Sequence, residues 1–143
     1  MNIHQISVFL ENRTGQLAEI TKLLAEEHVD IRAISIAETN DYGLVRLIVD
    51  DTFKASNILL AHGDIVSVTP VWAVEVPDRP SGLADLLAVL AETEVAVEYM
   101  YSLFTHKEGN AYMVLRINDE PRFLSALGDR RIKVMTKAEL GLK

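Results

Sequence analysis

The sequence predicts an α+β protein folded as two consecutive β-α-β-β-α-β units, each an antiparallel sheet with both helices on one face. Three observations carry this. The chain repeats itself, the hydrophobic period switches between strand and helix spacing in the same order in each repeat, and only Pro70 stands between the two copies.

The repeat is plain when Arg13–Ile31, RTGQLAEITKLLAEEHVDI, is laid over Arg79–Val97, RPSGLADLLAVLAETEVAV, without a gap. The identical pairs are Arg13/Arg79, Leu17/Leu83, Ala18/Ala84, Leu24/Leu90, Ala25/Ala91, Glu26/Glu92 and Val29/Val95, all separated by 66 positions (79 − 13). Gly43 and Gly109 keep that offset, and Asp51 and Asp119 follow after a slip of two residues. Two amphipathic helices can look alike by chance, but here loop, helix and following strand match together.

In the first copy, residues 5–10 alternate Ile6, Val8 and Leu10 on one face, which is strand spacing. Residues 16–27 carry Leu17, Ile20 and Leu24 on one helical stripe, with Leu23 beside it. Residues 31–38 are β-branched and strand-like, NDYG at 40–43 reads as a hairpin turn, and 44–49 turn Val45, Leu47 and Val49 inward. A second helix fits 52–62 and a strand at 65–68 closes the copy.

The second copy runs the same way. Residues 71–76 alternate Trp72, Val74 and Val76, and 82–92 present Leu83, Leu86, Leu87, Leu90 and Ala91 as a helical stripe. Strands at 95–104 and 111–117 flank the turn KEGN, a short helix covers 119–127, and 131–135 form the last strand. This order is the split βαβ, or ferredoxin-like, arrangement. It predicts one module over residues 1–70 and another over 71–143, with no flexible linker between them.

Composition narrows the function classes. Charged residues make up 24% and hydrophobic residues 49% of the 143, an ordinary globular balance. A net charge of −7 without a basic stripe argues against nucleic acid. The absence of cysteine removes disulfides, thiolate metal sites and cysteine nucleophiles. The N-terminal residues meet charge too early for a signal peptide, and no apolar run approaches membrane-spanning length, so a cytoplasmic protein is expected.

The residues with chemical promise lie in the loop ENRTGQLAEI, 11–20. Asn12 precedes a tight turn, Gly15 permits a close backbone approach, and a helix opens at Gln16. A helix N-terminus offers free N–H groups and positive dipole character to a carboxylate. An Asn side chain can accept from an ammonium while donating to a carboxylate. Together they suit the zwitterionic end of a free amino acid. The same residues also serve as a purely local turn and cap.

An Asn-x-x-Gly-x-Leu run after a strand, opening the first helix of a βαββαβ unit, resembles the ACT domain family, and the resemblance covers nearly the whole chain as two tandem copies. It implies a regulatory module that binds a free amino acid where ACT modules meet, with output through a regulated enzyme or other partner and no catalytic residues of its own. It places Asn12, Thr14, Gly15, Gln16 and Leu17 in the ligand loop and Leu10 beside the ligand. Asp30 and Ile31, at the start of the second strand, would supply backbone contacts to a ligand held by a neighbouring module. The second copy's counterparts are Val76, Asp78, Ser81, Gly82, Leu83, Ala96 and Val97. That copy departs from the pattern: Asp78 replaces Asn, Ser81 stands at the usual Gly position with Gly82 after it, and Pro80 stands where the first copy has Thr14. Two unequal sites, or one working and one degenerate, are therefore expected. Leu10 and Val76 hint at an apolar or aromatic ligand.

No cofactor or metal is implied. His4, His28, His62 and His106 are not spaced i, i+4 and fall near predicted element ends, which reads as solvated surface. Asp50 with Asp51, and Asp119 with Glu120, read as N-cap and first-turn acids at strand-to-helix junctions, with Pro121 at or near the first helical position of the second. The stretch Tyr99–Phe104 is apolar on both faces, and a homodimer is the simplest cover for its outer side.

Overall fold

The computed structural model describes residues 2–11, 13–38 and 41–143. Ten elements run in the order β1 (Ile3–Glu11), α1 (Gln16–Glu26), β2 (Ile31–Glu38), β3 (Tyr42–Val49), α2 (Thr52–Ala61), β4 (Val66–Pro77), α3 (Gly82–Glu92), β5 (Val97–Ser102), β6 (Asn110–Ile117) and α4 (Glu120–Asp129). The chain divides into two compact units. One takes residues 4–69 and 141–143, the other residues 70–140 with the N-terminal residues to Ile3. They are called module one and module two below.

In module one β3 is central, antiparallel to β1 through Leu47↔Ile6 and Val45↔Val8 and to β2 through Leu47↔Ile34 and Val45↔Ile36. Ile65, just ahead of β4, joins β1 by accepting from the Phe9 N–H. Alternate residues of β1 and β3 (Ile6, Val8, Leu10, Val45, Leu47, Val49) pack on Ile20 and Leu24 of α1 and Ala55 and Leu59 of α2. Both helices therefore cover the same face of an antiparallel sheet, as the period-2 and period-3.6 patterns demand.

Module two repeats this plan. β6 lies between β4 (Val74↔Met113) and β5 (Met100↔Leu115), and Trp72, Val74, Val76, Leu115 and Ile117 pack on Leu86, Leu90, Phe123 and Leu127. The duplication extends to backbone detail. Each second strand slips register after its first residue, at Ile31/Ala33 and at Val97/Tyr99. The left-handed residues His28 and Glu94, both at φ 59°, follow α1 and α3 at equivalent places. Asp51 caps α2 by accepting from the Lys54 N–H, and Asp119 caps α4 by accepting from the Arg122 N–H. Each cap satisfies a donor the helix itself leaves orphaned.

Several sequence expectations need correcting. The separation expected at Pro70 is absent: strands expected at 65–68 and 71–76 form one element, β4. Proline removes a ladder donor, but its φ is compatible with extended backbone, so it can sit within a strand. Asn40 lies outside the described residues, and Tyr42 and Gly43, expected in the turn, already belong to β3, paired with Glu11 and Leu10. The strand expected at 131–135 is reduced to one bridge, Val74↔Val134, flanked by bonds from the Glu75 N–H to the Lys133 carbonyl and from the Met135 N–H to the Ala73 carbonyl. The buried stripe of α3 is Gly82, Leu86, Val89 and Leu90, so Leu83 and Ala91 turn outward; Gly82 takes the contact side because its backbone must approach Pro77.

Candidate functional site

The two strand–turn–helix loops share an outline and differ in detail. In module one Gly15 caps α1 at φ 85°, a left-handed conformation that glycine adopts without a Cβ penalty. The residue expected to matter most there, Asn12, lies outside the described residues. Thr14 is exposed, Leu17 is half-buried against the core, and Leu10 is buried at the end of β1. Gln16 opens the helix 9% exposed, and its side-chain oxygen is buried without a hydrogen-bond partner.

In module two Ser81 holds the equivalent of Gly15 with an ordinary helical backbone, φ −89°, so glycine is not required there. The next residue requires it instead. A Cβ on Gly82 would run into the Pro77 carbonyl oxygen and stand 3.1 Å from its carbon and 3.2 Å from Val76 Cγ1. The one-place slide of the glycine thus moves a left-handed turn into a close backbone approach. The loop is tied by Gly82 N–H to the Arg79 carbonyl, Asp78 N–H to the Gly109 carbonyl and Arg79 Nε to Ser81 Oγ at 3.1 Å.

Beside this loop module two carries a cleft of about 530 Å³, within the range typical of small-molecule sites. Val76, Leu86, Val89 and Ile132 supply its apolar lining, Pro77 and Gly82 its loop side. Glu75, Arg79, Asp85, Asn110, Arg130, Arg131 and Lys133 supply polar groups. Most of these charges are already engaged: Arg79 with Asp85 at 3.5 Å, Arg130 with Glu92 at 3.0 Å, and Lys133 with Glu139. Glu75 accepts from Asn110 Nδ2 at 2.8 Å. The hydrogen bond to Glu139 is the main cause raising the Lys133 pKa, with Glu75 adding to it, and the same bond lowers Glu139. Arg131 has no ion pair among the described residues.

Of the residues expected to line a site in module two, the cleft brings together Val76 and Gly82. Asp78, Ser81 and Leu83 sit in the adjoining loop and first turn, all exposed. Ala96 and Val97 lie elsewhere. β5 begins where Val97 pairs with Ile117, whereas the loop follows Pro77, which pairs with Asn110 at the other end of β6. Asp30 and Ile31 are likewise far along the sheet from Leu10, since Ile31 pairs with Val49 and Leu10 with Gly43. Their backbone is partly engaged: the Asp30 N–H donates to Asp50 Oδ1 and the Ala96 N–H to Asn118 Oδ1, both at 2.9 Å. Within one module, then, the strand starts and the ligand loop do not meet.

Sequence reasoning missed the cationic rim (Arg79, Arg130, Arg131, Lys133), although Arg79 aligns with Arg13 and both pair with an acid six residues on. It also missed the ion pairs of His62. Exposed at the surface as expected, this residue bridges Glu19 (Nε2–Oε1, 3.0 Å) and Asp64 (Nδ1–Oδ2, 2.9 Å), and Asp64 above all holds its pKa above the ordinary 6.5. No group of three or more metal-ligating side chains converges among the described residues. A second recess, about 450 Å³, lies against Ser7, Phe9, Tyr42, Leu44, Ile65, Val66 and Ser67 in module one. Its stacked Phe9 and Tyr42 rings, 4.9 Å apart, make it aromatic, and no charged side chain lines it. No described helix is long and apolar enough to cross a membrane.

The fold is shared with known proteins. A crystal structure of a Bacteroides thetaiotaomicron protein is 33% identical over 99% of this chain and 96% of that one, with a TM-score of 0.90. The regulatory subunit of aspartate kinase from Thermus thermophilus, in its ligand-free form, is 18% identical over 88% of this chain and 90% of that one, TM-score 0.65. The corresponding Thermus flavus subunit is also 18% identical, over 90% and 92%, TM-score 0.61. The two kinase-subunit likenesses are of fold. No curated protein matches the chain. The family model for an ACT domain pair matches residues 1–140, and the chain belongs to that regulatory family.

Proposed function

We propose that the chain is a cytoplasmic, non-catalytic sensor that binds a free amino acid at the strand–turn–helix loop of an ACT module and regulates a partner protein of amino-acid metabolism. The observation that carries this reading is the β4–α3 turn. Gly82 closes on the Pro77 carbonyl at the mouth of a cleft that offers charges of both signs over an apolar lining. A zwitterion with a side chain needs that combination: a cation for the carboxylate, an acid for the ammonium, and a dry wall for the rest. The fold likeness to subunits described as regulatory in aspartate kinases supports a partner enzyme.

The module boundary we propose falls between residues 70 and 71, and the two loops are unequal sites or one works while the other is degenerate. The residues proposed to contact ligand are Leu10, Asn12, Thr14, Gly15, Gln16 and Leu17 in one loop, and Val76, Asp78, Ser81, Gly82 and Leu83 in the other. Asp30, Ile31, Ala96 and Val97 would contribute through a second copy of the chain. A homodimer is supported by β5, which pairs only with β6 in its module and leaves Tyr99, Met100 and Tyr101 half-exposed.

A thermal-shift screen against the twenty amino acids tests the reading. A ligand binding only the folded chain raises stability by RT ln(1 + [L]/Kd), about 2.7 kcal/mol at a hundredfold excess over Kd. A flat profile across all twenty would overturn it.

A further inference from the structure

Equivalent positions in the two modules differ where they border the cleft. Gly82 stands opposite Gln16 in the repeat, and after the two-residue slip Arg130 and Ile132 stand opposite His62 and Asp64. In module one Gln16 is buried, and His62, at the surface, pairs with both Glu19 and Asp64. In module two the glycine withdraws a side chain, Ile132 replaces a carboxylate with an apolar wall, and Arg130 turns to Glu92. The glycine frees the space its counterpart's side chain takes, and Ile132 makes the lining more apolar.

The ionic pairing at the rim leaves Arg131 over. Arg79 is matched by Asp85, Arg130 by Glu92 and Lys133 by Glu139. Arg131 follows α4 in a left-handed conformation, φ 55°, where its module-one counterpart is Gly63, at φ 95°. A non-glycine residue held there is uncommon, and its backbone stays pinned by the Arg131 N–H bond to the Gly128 carbonyl. Arg131 thus lines the same cleft as four apolar side chains with no ion pair among the described residues, which suits a carboxylate with an apolar tail.

Resting on the amino-acid-sensor reading, we infer that the cleft of module two is the chain's single amino-acid site and that it takes a branched aliphatic or aromatic amino acid. Arg131 receives the carboxylate, and Val76, Leu86, Val89 and Ile132 receive the side chain. Module one's counterpart, where Gln16 is buried in place of the glycine and His62 is tied to Glu19 and Asp64, binds none.

Calorimetric titration of the full chain with L-leucine, L-isoleucine, L-phenylalanine, L-serine, L-aspartate and L-lysine tests this. One apolar amino acid per chain, weakened at least tenfold by Ile132→Asp and by Arg131→Gln but not by His62→Gln, supports it. Ile132 is half-buried and Arg131 exposed, so at least the second variant keeps its fold, as far-ultraviolet circular dichroism will show. Binding of serine, aspartate or lysine alone overturns the ligand class while leaving the sensor reading intact. Two equal sites per chain, or apolar binding indifferent to both module-two variants, overturns the placement. Silence for all six probes and for the remaining amino acids overturns the sensor reading with it.

Discussion

The two modules share a backbone and fill it differently. At the centre of module two, Trp72 and Phe123 lie 5.6 Å apart, tilted at 44°. The repeat puts Ile6 and Ala55 at those positions in module one, both fully buried. One core is thus built on an aromatic pair and the other on aliphatic side chains, while strand registers, the Asp51 and Asp119 caps and the His28 and Glu94 turns stay in step. The difference teaches that the duplicated fold is set by the periodic pattern and the turns. Volume can move between neighbouring core positions provided the interior remains close-packed.

The largest effect that can break this comparison is Phe123→Ala. It deletes a fully buried ring and leaves a cavity against Trp72, so a loss of about 3–5 kcal/mol is expected. Because Trp72 is the chain's single tryptophan, its fluorescence in a denaturant titration reads module two directly. A change under about 1 kcal/mol would show that the aromatic pair is not the anchor of that core.

The two loop glycines provide a sharper contrast. Gly82 is needed for space, so Gly82→Ala forces the Pro77 carbonyl away, with a cost of about 1–3 kcal/mol, and Gly82→Asn costs more than Ala. Gly15 has open space where a Cβ would go and is needed only for its φ, so Gly15→Ala costs about 1–2 kcal/mol. Asn tolerates the left-handed region, so Gly15→Asn costs less than Gly15→Ala. Opposite Ala-to-Asn orders at the two sites, measured by thermal unfolding, are the expected signature. Equal orders would mean the two turns do the same job.

The helix caps should behave alike, which makes them the control. Asp51→Ala and Asp119→Ala each remove a carboxylate that accepts from the N–H three residues on, and each should cost about 1 kcal/mol. A twofold disparity between them would show that module context reaches even these local bonds.

Most of the fold was legible because it is written in periodicity. Val45, Leu47 and Val49, or Trp72, Val74 and Val76, can face only one way in a strand, and Asp51 and Asp119 announce the helices they cap. The continuity of β4 through Pro70 was not legible, since proline's missing donor reads as a break unless the partner strand is known. The site was only half visible. Val76 and Gly82 could be placed from the loop motif. Arg131 and Ile132 could not, because they follow a helix far later in the chain and are held beside β4 by the Val74–Val134 bridge and its flanking backbone bonds. The Glu19–His62–Asp64 cluster escaped for the same reason: Glu19 belongs to a different element, and sequence spacing carries no trace of the meeting.

That cluster yields the smallest and most specific contrast. The His62 pKa is raised chiefly by its hydrogen bond to Asp64, with Glu19 assisting through Nε2, and Arg13 pairs with the other Glu19 oxygen at 3.3 Å. A histidine whose folded pKa exceeds 6.5 stabilises the fold fully below that value, and the contribution fades as pH rises through the raised folded pKa. The equivalent residue in module two is Arg130, whose charge persists throughout, and its Lys133–Glu139 pair loses stabilising effect only toward strong base or acid. A stability profile of the whole chain between about pH 6 and 9 should therefore carry a downward step that belongs to module one alone. His62→Gln should flatten it while leaving the profile above the step close to wild type. The step should be modest, because His62 is partly open to solvent, which screens such pairs. Persistence of the step in the variant would place its origin in another titrating group and deprive module one of its ionic clamp.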